Sequence, residues 1–247
     1  MMGKRQNRAG FTLIELMIVV AVIAIIASIA IPKLMSSRLA ANEAAAISTL
    51  RSVATAQAQL QSSGAVDTDA DGAGEYGYFA ELAGQKPLRI SNAGVPAMGT
   101  VGTDELVPAI LSSAFGTAMT TGEVPRQGYL FKIYLPGLTV GGLTPGIAEA
   151  NTGGGTPGSL PNANNGEILW CCYAWPTDHN KTGNRAFFIS QEGELLQCLN
   201  RGAAPYDGQT KKPGFSEALT VAGDMGSALR ISTPGGADNT VWTPIQL

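Results

Sequence analysis

The chain is short of charge, aromatics, cysteine and histidine. Charged residues make up 14% of its 247 positions and aromatics 6%, with 16 Lys and Arg against 19 Asp and Glu for a net charge of -3. With no basic excess to neutralise phosphates, nucleic acid is excluded as a partner. One His and three Cys offer little from which to build a metal or thiol-catalytic centre. Low charge combined with 45% hydrophobic residues excludes intrinsic disorder. The 31 glycines follow no three-residue period, which excludes collagen. No acid–base pair, nucleophile triad or phosphate loop stands out, so the composition points to a structural protein and not to an enzyme.

One long apolar run is present. Residues 11–31 read FTLIELMIVVAVIAIIASIAI, with Glu15 as the sole charge. As a helix this run is roughly 32 Å long, the thickness of a bilayer core. Lys4, Arg5 and Arg8 precede it with no acid among the first ten residues, which predicts a cytoplasmic N-terminus and an exported remainder. A secretory signal cleaved after Ala30 would share the basic start and the apolar run. It has no use for Glu15, whose carboxylate costs on the order of 2.5–3.5 kcal/mol in an apolar segment and calls for a partner.

Arg8-Ala9-Gly10-Phe11-Thr12-Leu13-Ile14-Glu15-Leu16 resembles the prepilin processing site of type IV pilins and type II secretion pseudopilins. The likeness extends through the apolar run to Pro32. It implies cleavage by a prepilin peptidase after Gly10, methylation of the new amine on Phe11, and assembly through Glu15. It also implies a helix kinked or locally melted at Pro32, and a long helix on a small antiparallel sheet. The chemistry agrees, because a terminal amine is cationic at neutral pH and stays so when methylated. In a filament, Glu15 of one subunit and the Phe11 amine of a neighbour neutralise each other in an apolar medium, which fixes axial register.

Residues 33–63 contain no Gly or Pro and continue the helix. Ile47, Leu50, Val53, Ala54, Ala58 and Leu60 mark an apolar face, with Arg51, Ser52, Gln57 and Gln59 on the polar remainder. Pro32 interrupts the backbone ladder and bends the element, and Gly64 stops it. The chain therefore divides into a leader (1–10), an N-terminal helix (11–63) and an exported head (64–247). In the head, 129–135, 167–175, 185–190 and 194–199 read as strands, and Gln191-Glu192-Gly193 reads as a hairpin turn. Residues 136–166 read as a long surface loop, and 201–247 as a turn-rich tail with short strands at 228–232 and 240–246. The fold class is α+β, with an antiparallel meander of four strands covering residues 47–60.

Three features bear on chemistry. Asp67-Thr68-Asp69-Ala70-Asp71-Gly72 matches the start of a calcium loop, with Glu75 and Glu81 nearby but off register and Tyr78 where a bidentate Glu belongs. A structural calcium held by Asp67, Asp69, Asp71 and Glu75 stands against a solvated acidic turn. Cys171, Cys172 and Cys198 form a disulfide if Cys198 reaches one of the adjacent pair, closing a loop of about 26 residues for about 3 kcal/mol. Three reduced, buried cysteines are the alternative. His179 lacks a second His and C-x-x-C spacing, so it reads as part of an exposed turn with Asp178.

These readings converge on a subunit of a type IV pilus-like helical homo-oligomer, anchored in the inner membrane before assembly. A pseudopilin of a type II secretion system is the alternative, and a monomeric membrane-anchored binding protein is a distant one. The implied partners are prepilin peptidase, inner-membrane assembly machinery and membrane lipid.

Overall fold

The computed structural model describes residues 11–119, 121–155, 159–202, 204–235 and 240–245. Helix α1 spans Leu13–Ser63. Thr12 caps its start, and Gly64 ends it in the left-handed region at φ 63°, donating its N–H to the Gln61 carbonyl. That conformation is open to glycine at little cost. The segment stays helical through Pro32. Proline removes one rung of the ladder there, but the helix is not melted.

Short elements follow: α2 (Phe79–Leu82), a hairpin of β1 (Arg89–Asn92) and β2 (Val95–Met98), then β3 (Val124–Arg126) and β4 (Tyr129–Pro136). The chain continues through β5 (Gly146–Ala148), α3 (Ala163–Gly166), β6 (Cys171–Pro176), β7 (Ala186–Ser190) and β8 (Leu196–Cys198). It closes with β9 (Pro234–Gly235), β10 (Thr240–Val241) and β11 (Thr243–Pro244). The main sheet is antiparallel and seven-stranded, in the order β11-β8-β7-β6-β4-β3, with β5 sharing the β3 edge of β4.

The four-strand meander is its centre, and β3, β5 and β11 widen it. Gly193, at φ 73°, closes the β7–β8 turn as expected. The expected strand at 167–175 begins only at Cys171, because 167–169 complete the turn after α3. The expected loop 136–166 contains β5 and α3, and the expected strand at 228–232 is reduced to a bridge between Leu219 and Leu229.

Every residue of β4, β6 and β7 is buried, because the sheet is covered on both sides. Alternate side chains point to opposite faces. Phe131, Ile133, Cys172, Ala174, Phe187 and Ile189 face a core shared with Leu50, Val53 and Leu60 of α1. Leu130, Tyr173, Trp175, Phe188 and Leu196 face a second core closed by Tyr206, Ala218, Leu219, Met225 and Trp242. The tail is thus a second covering layer for the sheet.

Candidate functional site

Among the described residues, nothing of the head covers residues 11–38 of the stem. All are exposed but Ala27, which is half-buried, and large apolar side chains such as Leu13, Met17, Ile25 and Leu34 stand in the open. The helix is long and apolar enough to cross a membrane. Gly10 lies outside the described residues, and Phe11 is fully extended from the fold at 89% exposure. Thr12 and Glu15 form a capping box: the Thr12 N–H and hydroxyl donate to Glu15 Oε2 at 2.8 and 2.7 Å, and the Glu15 N–H donates to Thr12 Oγ1 at 3.3 Å. Two orphan donors of the first turn are thereby met, while Oε1 takes no part in the box.

From Asn42 onward the head grips α1. Glu43 is buried and accepts the N–H groups of Asn184 and Arg185 at 3.0 and 3.2 Å, while its other oxygen pairs with the Arg185 guanidinium at 2.6 Å. The Asn42 amide donates to the Thr182 carbonyl at 2.8 Å. Gln57, expected on the polar face, is fully buried: its amide donates to the Gly77 carbonyl at 2.7 Å and accepts the Gly77 N–H at 2.9 Å. It reads the backbone of a neighbouring loop as a strand would. Ala58, expected on the apolar face, is exposed, and Ala46 and Ala56 are buried in its stead.

The loop that Gln57 holds is built on Arg89, which is wholly buried. Its guanidinium bonds Glu75 at 2.8 Å, Glu81 at 3.0 Å and the Tyr76 carbonyl. Burial alone would lower the pKa of Arg89, but Glu81 and Glu75 outweigh it and raise it. Nearby, Glu149 accepts the N–H groups of Phe79 and Ala80 at the start of α2. Burial pushes its carboxyl up to about 8, with the Glu81 charge adding to the rise.

This network removes Glu75 from the acidic loop. One Glu75 oxygen takes the Thr68 N–H at 2.7 Å and the Thr68 hydroxyl, and the other takes Arg89. Among the described residues, Asp67, Asp69 and Asp71 do converge, with one oxygen of each within 4.8 Å of the others. The same aspartates bind their own loop: Asp67 accepts the Ala70 and Gly72 N–H groups, Asp71 accepts the Ala73 N–H, and Asp69 accepts the Asn164 amide. Four candidate ligands therefore reduce to three, and Asp69 Oδ1 is enclosed with no hydrogen-bond partner among the described residues.

The expected disulfide does not form, and Cys171, Cys172 and Cys198 are all buried thiols. Cys171 lies opposite Ser190 and Cys198 opposite Ala186. They share a face, yet stand two strands apart and four residues out of register, roughly 10 Å across and 13 Å along. A disulfide needs Cα atoms within about 7 Å. Cys172 points to the opposite core. Burial raises the pKa of the Cys171 and Cys172 thiols. His179 Nδ1 lies 3.2 Å from the Asn200 amide, and its backbone N–H meets Asp207.

Residues 5–31 match the prokaryotic N-terminal methylation motif. The chain is 41% identical over 88 residues to the "Type IV major pilin protein PilA" of Myxococcus xanthus (strain DK1622), a match covering 36% of this chain and 39% of that relative. The chain thus spans well under half the length of the curated relative it matches. No solved structure matches the chain significantly. Both matches bear out the resemblance of the N-terminal segment to type IV pilins and pseudopilins.

Proposed function

We propose, from that N-terminal segment, that the chain is a structural, non-enzymatic subunit of a type IV pilus-like filament. Prepilin peptidase cuts after Gly10, the Phe11 amine is methylated, and the subunit waits in the inner membrane with its head exported. Assembly machinery then draws the stems of successive copies together. One observation carries this reading: an apolar stem stands clear of a head that completes both of its cores without it. Such a surface is at rest only in lipid or against other stems. Glu15 sits four residues beyond Phe11, near enough for its carboxylate to meet a neighbour's terminal amine once stems pack.

A type II secretion pseudopilus would use the same stem. The pilus is preferred because the matching relative is named a major pilin. Intact-mass spectrometry of sheared surface filaments and of membranes tests the choice. A chain beginning at N-methylated Phe11 in the sheared fraction is expected. The same mass confined to membranes would favour the pseudopilus, and a chain beginning at Ile31 would overturn both.

A further inference from the structure

We infer that Asn180 is an acceptor for an N-linked sugar, a modification site that rests on the head being exported as proposed above. Residues 178–182 read Asp-His-Asn-Lys-Thr, and of all the asparagines in the chain only Asn180 has Ser or Thr two places on. That spacing is the acceptor pattern for N-glycosylation, and it is usable only on the surface of an exported protein.

The structure supplies the surface. Asn180 and Lys181 are the exposed tip of the turn between β6 and β7. Asn180 stands in the left-handed region at φ 66°, where asparagine is several-fold favoured over other non-glycine residues. Its backbone N–H is held by the Gly183 carbonyl at 3.1 Å. Among the described residues its side-chain amide makes no hydrogen bond, so Nδ2 is not spent on the fold. The neighbouring Asn184 is half-buried, and its side-chain oxygen is wholly enclosed. Exposure and sequence pattern coincide at Asn180.

The turn is also pinned to the place where α1 leaves the head, through the Asn42 amide on the Thr182 carbonyl. A sugar on Asn180 would stand on the rim of the head beside the emerging stem, on a face that neither core uses.

The chemistry needs an activated donor, a sugar linked through C1 to a diphosphate carrier, and a transferase. Asn180 Nδ2 attacks C1 and the C1–O bond to the diphosphate breaks. The diphosphate leaves with the bonding pair, and one amide proton passes to a base. In the closed turn the Thr182 hydroxyl is engaged twice, accepting the Asp178 N–H at 3.1 Å and donating to the Asp178 carbonyl at 3.1 Å. A transferase that must reach this hydroxyl therefore acts before the turn closes or when it opens locally.

The test is intact-mass spectrometry of the full chain from its native cells, with fragmentation of the peptide that contains Asn180. The expected result is a chain beginning at Phe11 that carries the mass of sugar residues on Asn180. That mass should be lost in Asn180→Gln and Thr182→Val and kept in Thr182→Ser, which preserves the hydroxyl. An unmodified chain beginning at Phe11 would overturn the sugar and leave the export reading standing. Added mass that survives Asn180→Gln would overturn the assignment to this residue. A chain that retains its leader in the cytoplasm would overturn both.

Discussion

The outer and inner halves of α1 are one helix in two solvents. The outer half is apolar and, among the described residues, uncovered by the head, so nothing there selects which of its faces is buried. The inner half buries a stripe of Glu43, Ala46, Leu50, Val53, Ala56, Gln57 and Leu60, a periodicity set by the sheet on which it lies. Polar groups follow the same division. Glu15 is answered within its own first turn by Thr12, whereas Glu43 and Gln57 are answered from 141 and 20 residues away. A helix that belongs to a filament keeps its bonding local until a neighbour arrives, and a helix that belongs to a head spends its bonding on the head.

The largest expected break in this contrast comes from Arg89→Met. It leaves Glu75 and Glu81 buried without a counter-charge, and head stability should fall by about 3–5 kcal/mol, read as the urea midpoint. Leu50→Ala or Leu60→Ala should cost about 2–5 kcal/mol in the same assay, while Ile18→Ala in the outer half should leave the midpoint in place. Equal losses in both halves would erase the distinction. Glu43→Ala strands two backbone donors and should cost about 1–3 kcal/mol.

A finer effect involves pH. Glu149 binds its proton more tightly in the folded head, up to about 8 against an ordinary 4.5. Its contribution to stability is therefore complete below about 4.5 and is lost as pH rises toward 8. Glu149→Gln carries a cost of its own at every pH, since a side-chain NH2 cannot accept the Phe79 or Ala80 N–H. Its melting temperature relative to the native head should nevertheless improve steadily from pH 5 to 8, and a constant gap would contradict a neutral Glu149. The smallest effect on the head is that of Glu15→Ala. Its melting temperature should not move, while the yield of sheared filament collapses.

Much was legible in the residues. The apolar run and the stop at Gly64 are local patterns, and so are the strands whose β-rich runs end at Pro136 and Pro176. The helical period assigns Gln57 to the polar face, and only the Gly77 backbone makes a buried amide favourable there. Proximity in sequence puts Glu75 with the aspartates, but in space it pairs with Arg89. Strand order brings Cys198 near the adjacent cysteines but says nothing about register.

The sequence by itself determined the stem, because membrane affinity and helix formation depend on what each residue is and on its nearest neighbours along the chain. The tertiary structure decided what the head's tail and buried charges do. Residues 204–230 carry no strong periodicity, yet Tyr206, Leu219 and Met225 close a second core over the sheet. Glu75, Glu81 and Arg89 became one buried network only when distant turns met. Burial and charge pairing are properties of what comes together in space, and chain order does not encode them locally.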